Sequence, residues 1–224
     1  KTKAMVNVNQ KTLIERCLDT VVLHPIDRII LIVGYEKEKL KRFLWYSYKG
    51  VDIVYVENND YATTNNIYSI FLAKDFLLED DTILIESDLI FEPKVLQMVV
   101  QNKFENLALV DKYKPWMDGT VVKINNDFSI SHFISKTDFD YNKVHEYYKT
   151  VNIYKFSKSF LTNVYIPFLE AYVKAMGNNE YYEQVLKVIV NLDMRALKAL
   201  PLDGELWYEV DDAQDLDNAS LLFA

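Results

Sequence analysis

The 224-residue chain is half hydrophobic and 14% aromatic, which is ample apolar side chain for a substantial core. Its net charge of −8, with no long basic run, excludes a nucleic-acid surface, because phosphate backbones are met by clustered Lys and Arg. No window reaches the roughly 20 apolar residues that cross a bilayer, and the first ten residues lack the apolar core of a signal peptide, so a cytoplasmic protein with no membrane partner is expected.

Leu13, Ile14, Cys17, Leu18, Val21 and Val22 recur at three- and four-residue spacing and predict one face of a helix over 12–22. The lone cysteine, Cys17, lies on that face and reads as a small core residue. An apolar strand is expected over 29–33. Helix 36–44, strand 51–56, helix 65–77, strand 82–87 and helix 93–101 continue the alternation, the last opening on Pro93 in its first turn. Strands apolar on both faces, alternating with helices, predict a mainly parallel sheet covered by helices. The segments 107–110, 120–124, 129–134 and 150–156 are strand-like with no long helix between them, and predict a small antiparallel insertion. Helical patterns return at 159–176 and 180–190, before a short strand at 206–210 and a terminal helix at 212–223. With only 5 Gly and 5 Pro, no stretch reads as a linker, and one domain spanning 1–224 is expected.

The run from Thr82 to Phe91 interrupts its apolar character with Glu86, Ser87 and Asp88. In a parallel α/β sheet, ligands bind beyond the C-terminal ends of the strands, and Asp88 is expected at such an end. By position alone it is equally a ligand to Mg²⁺, a hard cation that prefers oxygen, or a cap of the turn that follows. A second acidic cluster bears on the choice. In 206–212 the strand period of two sets Trp207, Glu209 and Asp211 on one face. Two carboxylates pointing the same way repel unless a cation lies between them. Asp212 is therefore assigned to capping the last helix, and Glu209 with Asp211 to metal. Together with Asp88 they form a three-carboxylate site suited to neutralising a triphosphate during phosphoryl or nucleotidyl transfer.

Pro115 and Gly119 predict a loop around Asp111, Lys112, Trp116 and Asp118. A tryptophan beside carboxylates can hold an amine or quaternary ammonium by cation–π attraction plus charge, or it can simply pack the loop onto the core. Tyr181 and Tyr182 can add to such a pocket or pack the start of a helix. Thr64 or Asn65 is a sound N-cap for a helix starting near Asn66. His24, His132 and His145 show no metal spacing and no nucleophile partner.

The segments ESDLIF (86–91), DYATTNNIYSIFLAKDFL (60–77) and LWYEVDDAQDLDNA (206–219) resemble the nucleotidyltransferases of the sugar-phosphate and phosphocholine type, especially the cytidylyltransferases. The resemblance covers essentially the whole chain. Residues 110–122 and 178–189 are most similar to cytidylyltransferase domains fused to a pyridoxal-phosphate aminotransferase, including those acting on 2-aminoethylphosphonate. It implies an α/β fold: a three-layer α/β/α sandwich with a mostly parallel mixed sheet, the Rossmann-like nucleotidyltransferase fold. It also implies Mg²⁺-dependent transfer of CMP from CTP to a small phosphorylated or phosphonylated amine such as phosphocholine or 2-aminoethylphosphonate, with release of pyrophosphate. Asp88 then matches the metal-binding aspartate after the central strand, and Glu209 and Asp211 match the late acidic pair. Lys3 matches the lysine that contacts the phosphates, and Thr64, Asn65 and Asn66 fall in the base-recognition loop. The family's first strand and Gly-rich loop have no counterpart after Lys1, so a domain missing that piece is expected. Two alternatives remain open: a sugar-1-phosphate nucleotidyltransferase, whose acceptor carries hydroxyls in place of a cation, and a noncatalytic nucleotide-binding domain.

Overall fold

A computed structural model describes residues 2–192 and 197–224. In chain order, a 3₁₀ turn (Lys3–Met5) leads into β1 (Asn7–Val8), β2 (Lys11–Thr12), α1 (Leu13–Val21), β3 (Arg28–Val33), α2 (Lys37–Leu44), β4 (Ser47–Tyr48) and β5 (Val51–Glu57). Next come α3 (Asn66–Leu72), α4 (Lys74–Leu77), β6 (Thr82–Ile85), β7 (Leu89–Phe91), α5 (Pro93–Gln101), β8 (Leu107–Lys112), β9 (Val121–Ile124) and β10 (Ile130–Ile134). A 3₁₀ segment (Tyr141–Glu146) precedes β11 (Tyr148–Phe156), and α6 (Lys158–Phe160) runs through a π-helical turn (Leu161–Tyr165) into α7 (Ile166–Met176). The chain ends with α8 (Glu183–Asn191), β12 (Lys198–Pro201), β13 (Trp207–Glu209) and α9 (Ala213–Leu222). Helices accompany sheets that mix parallel and antiparallel strands, an α/β architecture.

The chain divides into two compact units. The first comprises Lys1–Tyr61, Ile85–Gln101 and Gly204–Ala224. Within it β3 and β5 pair in parallel, β4 adds antiparallel to β5, and β7 pairs antiparallel with β13. The predicted strand and helix order over 12–57 is present with boundaries shifted by a residue or so. Its core joins Ala4 and Met5 to Ile14 and Leu18 of α1, Ile29 and Val33 of β3, Leu40 and Leu44 of α2, and Ile53 of β5. A second cluster joins Val8, Leu13, Ile90, Val210 and Ala219. α1 starts where it does because Thr12 and Glu15 form a capping box: the Thr12 hydroxyl accepts from the Glu15 amide, and the Glu15 carboxylate accepts from the Thr12 amide. The same device starts α9, with Asp212 and Asp215 in the two roles, as the capping assignment of Asp212 anticipates.

The second unit comprises Ala62–Leu84 and Asn102–Asp203. Its sheet has the order β10-β9-β11-β8-β12, with β6 also pairing with β11. The expected antiparallel segments are β8 to β11, and β12 closes against β8 in parallel. The predicted strand 82–87 stops at Ile85 and resumes as β7, so Glu86–Asp88 form the break. No helix among the described residues is long and apolar enough to cross a membrane.

Candidate active site

The break at Glu86–Asp88 places its carboxylates through the pairing that follows it. β7 lies antiparallel to β13, with Leu89 opposite Glu209 and Phe91 opposite Trp207. The Val210 amide then donates to the Asp88 carbonyl at 2.9 Å, which extends the ladder by one bond. Two acidic segments 120 residues apart in sequence are thereby held side by side by backbone hydrogen bonds, independently of their charges. Glu86, Asp88 and Glu209 each bring a carboxylate oxygen within 4.8 Å of the others, and all three are half-buried.

Lys3 enters the same region from the N-terminal 3₁₀ turn, whose next two residues, Ala4 and Met5, are buried in the core and fix its position. Its ammonium donates to Asp211 at 2.5 Å and lies 3.6 Å from Asp88. Partial burial works against the charged lysine. The Asp211 hydrogen bond and the fields of Asp88 and Asp211 outweigh it and hold the ammonium above its ordinary pKa. Asp88 is shifted upward for a different reason. Desolvation raises its carboxyl, Lys3 opposes that, and Asp211 adds repulsion. One of its oxygens, Oδ1, is buried with no hydrogen-bond partner among the described residues. A buried carboxylate oxygen that a shared lysine does not fully compensate, beside two further carboxylates, is the all-oxygen donor set that a hard divalent cation takes. The residues present therefore fit such an ion.

Of the metal candidates predicted from sequence, Asp88 and Glu209 are brought together directly, and Asp211 joins them through Lys3. Glu86 is the member that sequence reasoning left without a role. Its signal was present, because residues two apart in an extended segment share a face, and Glu86 and Asp88 are so spaced.

The remaining candidates lie in the second unit. The Asn65 side chain accepts from the Asn66 amide at 2.8 Å and caps α3, with Thr64 half-buried just before it. This segment is bonded to 178–182: the Asn65 amide donates to the Asn178 carbonyl at 3.0 Å, and the Tyr182 amide donates to Asn66 Oδ1 at 2.9 Å. Tyr182 is only 2% exposed, its ring edge-on to Tyr154, whereas Tyr181 is exposed. Asp111 and Lys112 end β8. The Lys112 ammonium donates to the His145 carbonyl and lies 4.4 Å from the centre of the Tyr148 ring. Trp116 is 71% exposed, and the Lys114 ammonium lies 5.4 Å from its ring centre. Asp118 Oδ1 accepts from the Gly119 amide at 2.7 Å.

The family model described as "Nucleotidyl transferase" matches residues 1–221. Over 203 residues the chain is 28% identical to a CMP-5'-(3-aminopropyl)phosphonate synthase from Streptomyces rubellomurinus, covering 89% of this chain and 32% of that protein. It thus spans about a third of that relative's length. It is 26% identical to a CTP:phosphoglutamine cytidylyltransferase from Campylobacter jejuni, covering 96% of this chain and 89% of the relative. Among solved structures, a CTP:phosphocholine cytidylyltransferase from Streptococcus pneumoniae superposes with a TM-score of 0.77 at 24% identity, covering 100% of this chain and 90% of that one.

Proposed function

The chain belongs to the nucleotidyl transferase family, and from that premise we propose that it transfers CMP from CTP, with Mg²⁺, to a small phosphorylated or phosphonylated amine. The observation that carries the reading is the half-buried cluster of Glu86, Asp88 and Glu209, in which the buried Asp88 Oδ1 has no hydrogen-bond partner among the described residues and Lys3 stands beside Asp88. The cytidylyl donor and the amine-bearing acceptor are supported by the relatives, named for CMP-phosphonate synthesis and for phosphoglutamine. A cytoplasmic location and a pyridoxal-phosphate aminotransferase domain fused in series belong to the same proposal, the latter supported by the resemblance of residues 110–122 and 178–189.

In this reading Asp88, Glu86 and Glu209 hold Mg²⁺, and Asp211, engaged by Lys3, is the fourth carboxylate of the cluster. A bound divalent cation supplies positive charge against the triphosphate as negative charge builds on the departing pyrophosphate. Lys3 carries a fixed ammonium to the same place and binds phosphate oxygens as a point charge. The acceptor's phosphate or phosphonate oxygen attacks the α-phosphorus in line. The new P–O bond forms as the bond to the β-phosphate oxygen breaks, and no covalent enzyme intermediate is needed. Thr64, Asn65 and Asn66 read the base from the segment that leads into α3. Asp111, Lys112, Trp116 and Asp118 meet the acceptor, with the exposed Tyr181 adding to the pocket and the buried Tyr182 supporting it.

A pyrophosphate-release screen tests the proposal, pairing each nucleoside triphosphate with phosphocholine, 2-aminoethylphosphonate, 3-aminopropylphosphonate and sugar 1-phosphates. Release with CTP and an amine-bearing acceptor is the expected result. Release only with sugar phosphates, or with none, contradicts it.

A further inference from the structure

Lys149 is 1% exposed, among the largest fully buried side chains of the protein, in a residue type that is almost never fully buried unless its charge is met. It sits in β11 where that strand is paired on both sides, opposite Asp111 of β8 and Val121 of β9. Its ammonium donates to the Thr150 carbonyl at 2.7 Å.

The far end of the side chain reaches Gly119. A Cβ added at Gly119 would lie 2.9 Å from Lys149 Cε and 3.0 Å from Nζ, closer than non-bonded atoms sit. Gly119 also has φ +97, a conformation that side chains rarely adopt. Glycine is thus required by the backbone, and an added side chain would also displace the end of the lysine. The next residue is pinned to the same strand, since the Thr120 carbonyl accepts from the Thr150 amide at 3.0 Å and from the Thr150 hydroxyl at 3.2 Å.

One buried lysine therefore underlies both ends of the loop that carries Trp116. Asp111 faces it across the ladder where the loop begins, and Gly119 rests on it where the loop ends. Opposite charges directly across a strand pair attract, and between the two ends the loop has no strand of its own.

We propose that Lys149 is the positioning residue of the 112–119 loop, holding Trp116 and Asp118 where the acceptor is recognised, and so setting acceptor affinity without touching substrate. This rests on the reading of residues 111–118 as acceptor-binding.

The test compares wild type, Lys149→Met, Gly119→Ala and Trp116→Ala. Hydrogen exchange is followed in the peptide covering 112–120, and KM is measured separately for CTP and for whichever acceptor the screen identifies. Lys149→Met keeps most of the apolar stem of the side chain and removes its ammonium. It is expected to speed exchange in that peptide and raise the acceptor KM by about tenfold or more, with the CTP KM little changed. Gly119→Ala, on the exposed loop, pushes the lysine aside and is expected to give the same exchange signature, which covers the case in which Lys149→Met fails to fold. Faster exchange with an unchanged acceptor KM in Trp116→Ala upholds the positioning role while removing the acceptor reading. Unchanged exchange and acceptor KM in a folded Lys149→Met, or equal rises in both KM values, overturn the proposal.

Discussion

The Lys3 ammonium bonds Asp211 at 2.5 Å while standing 3.6 Å from Asp88, so a lysine near the start of the chain bridges two carboxylates more than a hundred residues apart. Lys3 is the cation that Asp88 and Asp211 share. Removing it should expose the carboxylates to one another and to any added cation. Lys3→Met is expected to bind Mn²⁺ more tightly than wild type in the absence of nucleotide, by calorimetry, and to show a higher KM for CTP. Equal Mn²⁺ affinity in the two proteins would separate Lys3 from the metal site.

Trp116 is expected to act on the acceptor alone. Trp116→Ala should raise the acceptor KM well above any change for CTP, by about tenfold if a cation–π contact is lost at a partly desolvated site. The neighbouring Lys114 already offers its ammonium to this ring, so Lys114→Met is expected to lower the acceptor KM. Equal impairment of CTP and acceptor by Trp116→Ala would make the loop a structural element.

Glu57 accepts from both Lys37 and Lys41, and these hydrogen bonds, Lys37 first, hold its carboxyl at about 2 against an ordinary 4.5. A depressed folded pKa stabilises the ionised, folded state. That contribution is complete above pH 4.5 and is lost as pH falls towards about 2. Urea denaturation should therefore show a stability gap between wild type and Glu57→Gln that is widest near neutrality and closes across that acid window. A gap independent of pH would mean that the ion pairs contribute nothing to folding.

Cys17 is buried in α1, and desolvation pushes its thiol up to about 12. The thiolate is the reactive form, so almost none exists at neutral pH. Native protein should resist a disulfide-exchange reagent at pH 7.5 and react once unfolded in guanidinium; rapid labelling of the native state would contradict the packing of α1.

Much of the first unit was legible because its signals are local. Apolar spacing in 13–22, the alternation over 28–57 and the cap at Asp212 depend on neighbours in sequence, and the structure follows them. Glu86 escaped because the run 82–87 reads as one strand, whereas the chain breaks at Glu86–Asp88 to let β7 pair with β13. That pairing is non-local and has no sequence signature. Asp211 was placed on the Glu209 face by strand periodicity, yet β13 ends at Glu209, so the period does not carry that far. β12 was missed for a related reason, since a four-residue strand ending in Pro201 has little pattern of its own and is specified by its parallel partner β8. Lys149 gave no signal at all: a lysine in YYKTV reads as a solvent-facing position until three strands close around it.

The central claim is that the Asp88 cluster supports metal-dependent nucleotidyl transfer, and Asp88→Asn tests it most directly. The substitution keeps the size of the side chain and removes the charge that the buried Oδ1 contributes. Pyrophosphate release from CTP at saturating Mg²⁺ and acceptor should fall by about 100-fold or more, roughly 2.7 kcal/mol of transition-state stabilisation, while the melting temperature is maintained or rises, because a buried, incompletely compensated charge has gone. Near-normal Mg²⁺-dependent turnover by the pure, folded variant would contradict the account.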